Sequence, residues 1–323
     1  MAKSGNAQNR RTIRKPKRKR NTGKIMLWLF LDIIVILVLI LVIGWDKGVS
    51  SWMVELNRPV VKEVDVTGIN SLTACLLQAR SGKVVGEMNG ETIIYPASMT
   101  KMMTAIVAIE NLKSLDTKIT VPSEIFPDLY AQDAMRAGFE PGEEVEALDL
   151  LYGVMLPSGA ECCLALADYI SDSEEAFVDL MNQKAYKIGM DTTHFCDTTG
   201  LHDPQHYSTA HDMAVLLKYC LKNKTFRQIV ESSWHATKPT SLHPDGITFY
   251  STVFKNLPDP YVTNGRILGG KTGYTSDAGY CLASFAEIGG REYILVTVGA
   301  GENQQHIEDA KTIFERVGQK LNE

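Results

Sequence analysis

Ser98-Met99-Thr100-Lys101 sets a hydroxyl and an amine three residues apart. On a helix that spacing puts both side chains on one face, about one turn apart, so the amine can reach the hydroxyl. Serine is a weak nucleophile at its own pKa and needs an adjacent base. A lysine serves as that base when a low-dielectric site and a second nearby cation lower its pKa. The pair therefore offers acyl-transfer chemistry, and the helix N-terminus aims backbone N–H groups at a developing oxyanion. Taken alone, the pattern equally describes a capping serine followed by a solvated lysine.

Two more short patterns supply partners. Ser158-Gly159-Ala160 puts a hydroxyl on a tight turn between two apolar stretches, where it can relay a proton to a leaving amine or simply cap the following helix. Lys271-Thr272-Gly273 follows Gly269-Gly270 on an expected strand. There a cation and a hydroxyl project from backbone whose glycines permit close approach, which suits a carboxylate. His202, His206 and His211, with Asp203, invite a metal, but their spacing fits no zinc signature and no metal is expected. The six cysteines show no C-x-x-C spacing, and most lie in apolar runs such as Cys162-Cys163-Leu164-Ala165-Leu166. They are read as buried free thiols in preference to disulfides.

Positioning these groups requires both strands and helices. Ser71 to Gln78 and Val84 to Met88 read as a hairpin about the Arg80-Ser81-Gly82-Lys83 turn. Ser98 to Leu112 has helical spacing of Met102, Ala105, Ile106, Ile109 and Leu112, after Pro96. Residues 116–146 read as irregular. Helices are expected over Leu148 to Met155, Ala160 to Ile170, Glu174 to Ile188 and His211 to Leu221, the last capped by Ser208-Thr209. Leu268 to Gly273, Gly279 to Ala286 and Tyr293 to Ala300 are strand candidates with short connections, hence antiparallel. Ile307, Ala310, Ile313, Phe314 and Val317 mark an amphipathic closing helix from Gln305 to Leu321. The fold class is α+β, an antiparallel sheet with flanking helices and an inserted, mostly helical lobe.

Composition adds a division along the chain. Of 323 residues 45% are hydrophobic and 22% charged, as in a globular protein with a core. The net charge of −5 conceals an N-terminal arm, residues 1–24, with ten Lys or Arg and no acid. Ile25 to Ile43 is apolar except for Asp32, and 19 helical residues reach roughly 28 Å, enough to span a bilayer core. This is longer than a signal-peptide core and has no evident cleavage site. A basic arm directly before an apolar span reads as a targeting signal, so nucleic acid is not an expected partner. The positive-inside rule expects residues 1–24 in the cytoplasm, 25–44 as a single-pass anchor in the cell membrane, and the remainder outside. Residues 45–62 then form a juxtamembrane linker and 63–323 the functional domain.

The three patterns fall in one order, and longer stretches around them share it. Tyr95 to Ala105, Leu151 to Gly159, Thr199 to Asp203 with His206 to Ala210, and Gly269 to Thr275 with Ala278-Gly279-Tyr280 all contribute. Over about residues 65–320 the chain resembles the low-molecular-mass penicillin-binding proteins, the serine-type D-Ala-D-Ala carboxypeptidases. The resemblance implies that Ser98 attacks the carbonyl of the penultimate D-Ala of a peptidoglycan stem peptide while Lys101 takes its proton. It implies that Ser158 relays protons with Lys101 and Lys271, and that Lys271 and Thr272 hold the terminal carboxylate beside Gly273. The N–H groups of Ser98 and Tyr274 would form the oxyanion hole, and water would release the acyl-enzyme. β-Lactams would trap Ser98, and no cofactor is implied.

Two positions depart from that pattern. Ala160 stands where the family has Asn, which removes one polar anchor, and His306 is the best match for an Arg that helps bind the carboxylate. Glu161 matches a neighbouring acidic position of the family. The C-terminal β-rich domain and amphipathic anchor frequent in the family have no counterpart, and the N-terminal span is expected to anchor instead. The alternatives are a muropeptide or β-lactam sensor in which the altered second motif has ended turnover, and a β-lactamase. Against the latter, no E-x-x-L-N stretch follows Ser158.

Overall fold

In this computed structural model, the described residues are Phe30, Ile33, Ile34 and 61–322. Alternate residues of the strand Thr73–Gln78 face two different cores. Ala74 and Leu76 pack with Leu282, Leu295, Ile313 and Phe314, whereas Cys75 and Leu77 join Met103, Ile106, Leu216 and Phe285. A strand buried on both faces lies inside a sheet that is covered on both sides. The sheet has six strands in the order 84–88, 73–78, 291–300, 279–288, 265–275 and 261–262, with every neighbouring pair antiparallel.

One face is closed by the helix Gln305–Lys320, whose apolar stripe of Ile307, Ala310, Ile313, Phe314 and Val317 is buried. Asp309 ties that helix to the start of the first strand. Its carboxylate accepts from Asn70 N (2.9 Å), Asn70 Nδ2 (2.8 Å), Ser71 N (2.8 Å) and Ser71 Oγ (2.6 Å). Val61 packs into this face with Val64 and Val66, so the folded unit takes in a residue that the sequence reading leaves in the linker. The other face carries the lobe inserted between residues 88 and 261. Its helices are Lys101–Asn111, Ala147–Met155, Ala160–Ser171, Glu174–Ile188, Ala210–Cys220 and Lys224–Glu231, sharing one core with the sheet.

Four differences from the sequence reading have local causes. Ser98 lies not in an α-helix but in a 3-10 turn, Ala97–Thr100, ahead of the helix Lys101–Asn111. Ala97, at φ +49°, breaks the helical path there. Residues 116–146 hold two short paired strands, Lys118–Thr120 and Glu144–Glu146, and the helix Phe126–Ala131. The helix Lys224–Glu231, capped by the Asn223 side chain, is too short for periodicity to declare. The small hairpin Trp234–Ala236 with Thr248–Tyr250 is mostly exposed, with a long intervening loop. The basic arm 1–24, the span 25–44 apart from the three residues named above, and 45–60 lie outside the described residues. Among the described residues no helix is long and apolar enough to cross a membrane. All six cysteines are free, and only Cys196 is not fully buried.

Candidate active site

The 3-10 turn brings Ser98 to the edge of the lobe, and the first turn of the following helix presents Lys101 back towards it. Lys101 Nζ donates to Ser98 Oγ at 3.2 Å and to the Thr199 carbonyl at 2.6 Å. The lysine is 3% exposed. Burial lowers its pKa, opposed by nearby groups that favour the ammonium form.

The second and third patterns meet on the far wall. Ser158 occupies a turn at φ +69°, a strained value for a residue with a side chain. Its Oγ accepts from Lys271 Nζ at 2.9 Å, and Lys271 also donates to the Thr272 carbonyl at 3.0 Å. Lys271 is fully buried, and both this burial and the Lys101 charge push its pKa well down. Two amines in one low-dielectric site do not both hold a proton readily, which favours one of them as a base. No hydrogen bond joins Ser158 to Lys101: the serine is Lys271's partner, a finer assignment than the sequence permits.

Close packing puts the strand against the nucleophile turn. A Cβ on Gly273 would stand 3.1 Å from Ser98 N and 3.2 Å from Pro96 O. Glycine there lets Gly265–Thr275 run beside Ser98, and Tyr274 joins Ser98 in lining the same cavity. Thr272 Oγ1 is 2.7 Å from Thr252 Oγ1, which fixes its rotamer. Ser98, Lys101, Ser158, Thr272, Gly273 and Tyr274 all line one cavity of about 670 Å³. Lys271 lies just behind its wall.

The two departures have visible consequences. Ala160 presents only a methyl group to the cavity, and its N–H donates to Met135 O at 2.8 Å. Glu161 does not replace the missing amide, because its Oε1 accepts from Ala137 N (2.6 Å) and Gly138 N (2.8 Å) instead. It pins the loop that forms the opposite wall. His306 lines the cavity, 2% exposed, stacked on Tyr280, and its Nδ1 has no partner. Burial pushes its pKa down to about 4, so the imidazole is neutral at pH 7 and brings no cation to the carboxylate end.

Sequence reasoning assigned no role to Asp197, Thr199 or Thr252, which support these groups. The stretch Thr199 to Asp203 stood out, but nothing in it revealed that a carbonyl would receive the Lys101 proton. The three histidines do not converge. His206 contacts Asp197 and Thr100, His202 meets the Tyr95 ring edge to face, and His211 approaches Glu91. Among the described residues no group of three or more His, Cys, Asp or Glu could hold a metal ion.

A hydroxyl, its neighbouring amine, a second amine just behind the same cavity wall and a glycine-backed strand form an arrangement that could carry out acyl transfer, on an antiparallel α+β scaffold. The chain belongs to the peptidase S11 family, the D-alanyl-D-alanine carboxypeptidases, whose family model matches residues 60–302. It is 32% identical over 228 residues to the D-alanyl-D-alanine carboxypeptidase DacF of Bacillus subtilis, covering 71% of this chain and 57% of that one. With DacC of Escherichia coli it shares 31% over 257 residues, covering 78% and 62%. The chain thus spans about three-fifths of the length of these relatives. The crystal structure of the Streptomyces K15 DD-transpeptidase superposes with a TM-score of 0.70 at 28% identity, covering 77% of this chain and 97% of that one. For penicillin binding protein 5 from Haemophilus influenzae the values are 0.69, 27%, 76% and 70%.

Proposed function

We propose that this protein is a serine D,D-carboxypeptidase that removes the terminal D-Ala from peptidoglycan stem pentapeptides. The observation that supports it most is the 3.2 Å approach of Lys101 Nζ to Ser98 Oγ at a cavity whose far wall holds the Ser158–Lys271 pair. Neutral Lys101 takes the proton of Ser98 as Oγ bonds to the carbonyl carbon of the penultimate D-Ala. Backbone N–H groups of Ser98 and Tyr274 stabilise the oxyanion. Collapse breaks the C–N bond, and the departing amine takes a proton delivered through Ser158 from Lys271. Water then attacks the ester and gives its proton through Ser158 to Lys271, while the proton held on Lys101 returns to Ser98 Oγ as the ester bond breaks. Thr272 and Lys271 hold the terminal carboxylate, and the neutral His306 adds no cation at that end of the cleft. β-Lactams, which present a strained amide beside a carboxylate, acylate the same hydroxyl.

The anchor belongs to the same reading. Residues 25–44 cross the cell membrane once, 1–24 stay cytoplasmic, and 63–323 act outside, where the stem peptide lies. Protease added to intact cells should then degrade the folded unit and spare the arm.

The deciding experiment is mass spectrometry of D-Ala release from a stem pentapeptide by the full chain. Release that is lost in Ser98→Ala supports the proposal. Release that survives in Ser98→Ala, or none at all from the native chain, overturns it. Ala160 favours one second reading, a sensor that is acylated without turnover, and acylation by penicillin in the absence of D-Ala release would establish that instead.

A further inference from the structure

Behind Lys101 lies a chain of polar groups, mostly buried with Asp197 partly exposed, that the proposed reaction does not itself use. Asp197 Oδ1 accepts from Thr199 N (2.6 Å), Thr199 Oγ1 (2.8 Å) and Gly200 N (2.6 Å), folding residues 197–200 into a tight turn. Its other oxygen, Oδ2, lies 3.1 Å from His206 Nδ1. His206 is 2% exposed, and its Nε2 sits 2.8 Å from Thr100 Oγ1, next to Lys101 in sequence. Cys196 N is also 3.2 Å from Nδ1. The Thr199 carbonyl carried by this turn is the closest partner of Lys101 Nζ, at 2.6 Å. Gly200, at φ +81°, is locked against the nucleophile turn: a Cβ there would meet Ala97 O at 1.9 Å.

We propose that Asp197 is a positioning residue for acylation, aiming the Thr199 carbonyl at Lys101 and holding a fixed negative charge beside that base. The inference rests on Lys101 acting as the base in the reading above. Four acidic groups and one amine face Lys101. Cys162 and Cys163 are buried thiols held up, Cys163 to about 12, and are neutral at working pH. Burial raises the Glu161 carboxyl, against the pull of the backbone N–H groups that donate to it. Lys271, also buried, is pushed well down. Burial alone would raise Asp197 too, but the His206 ring and the turn's donors overcome it and hold that carboxyl at about 2. Asp197 is therefore a carboxylate held ionised next to the base. It moderates the downward push of burial on Lys101, so that the amine both accepts the Ser98 proton and can give it up again.

The test is the pH profile of acylation of the full chain by a fluorescent penicillin, with native, Asp197→Asn and Asp197→Ala proteins. Asn keeps a carbonyl oxygen for the Thr199 and Gly200 N–H groups while removing the charge. Less stabilised as an ammonium, Lys101 then loses its proton earlier, so the acid limb moves to lower pH by roughly half a unit or more. Ala also frees the turn and lowers the plateau rate about tenfold or more, a loss that Asn partly rescues. An Asn limb superimposed on the native one, or an Ala plateau equal to the native one, overturns the inference. Should Ala fail to fold, the Asn profile decides by itself. A native chain that is not acylated at all refutes the base reading instead, and with it this one. A merely structural Asp197 would lower stability and leave the limb in place.

Discussion

Replacing Ser158 separates two effects that the structure superimposes on one residue. Its hydroxyl accepts from buried Lys271 at 2.9 Å, and its backbone is held at φ +69°. Removing the hydroxyl leaves the Lys271 amine with the Thr272 carbonyl as its remaining partner. A hydrogen bond to a charged group is worth about 1.5–3 kcal/mol, and tenfold in rate corresponds to about 1.4 kcal/mol. Both Ser158→Ala and Ser158→Gly should therefore lower the acylation rate by about 10- to 150-fold. The backbone term acts only on stability. A side chain in the left-handed region costs about 1–2 kcal/mol, and glycine gives back about 0.5–1 kcal/mol in unfolded-state entropy. Glycine should thus be the more stable of the two variants by up to about 1.5 kcal/mol, with the same loss of rate. Stopped-flow acylation by a fluorescent penicillin, paired with thermal unfolding, reads both quantities. Variants that acylate within about threefold of the native rate, or that differ from each other tenfold in rate, would refute the assignment of Ser158 as Lys271's partner.

Further outcomes follow from the same geometry. Gly273→Ala places a methyl 3.1 Å from Ser98 N and should slow acylation about 10- to 100-fold, since small displacements of reacting groups are that costly; an unchanged rate would mean the strand does not abut the nucleophile. Asp309→Ala abandons four donors at a buried helix–strand junction and should cost about 2–4 kcal/mol by thermal unfolding, with penicillin acylation of the folded fraction unaffected. His306 has its pKa lowered to about 4 in the fold from an ordinary 6.5. The unfolded chain therefore binds the proton first, and the stability held above pH 6.5 is lost as pH falls towards 4. His306→Phe should remove about 2 kcal/mol of that decline between pH 7 and pH 4.5, read as the difference between the two proteins' unfolding curves.

Much of this was legible before any coordinates. Short apolar runs between turn residues located five of the six sheet strands, missing the edge strand Tyr261–Val262, and helical apolar spacing located the core helices and the closing helix to within a few residues. Short elements such as Lys224–Glu231 were not legible, since two turns give too few apolar residues to define a period. At the site, residue types announced a hydroxyl and two amines, but not which would meet. Ser158 partners Lys271 alone, Glu161 turns away to the 137–138 backbone, and the carbonyl receiving the Lys101 proton belongs to Thr199. Backbone acceptors have no sequence signature, and long-range pairing of Asp197 with His206 depends on a loop whose path only the fold determines.

The proposed reaction depends on Ser98 being the group that is acylated. Incubating the full chain with penicillin G and mapping the adduct by peptide mass spectrometry tests this directly. The expected result is a single penicilloyl group on Ser98, absent from Ser98→Ala. An adduct on any other residue, or none on a folded protein, would contradict it.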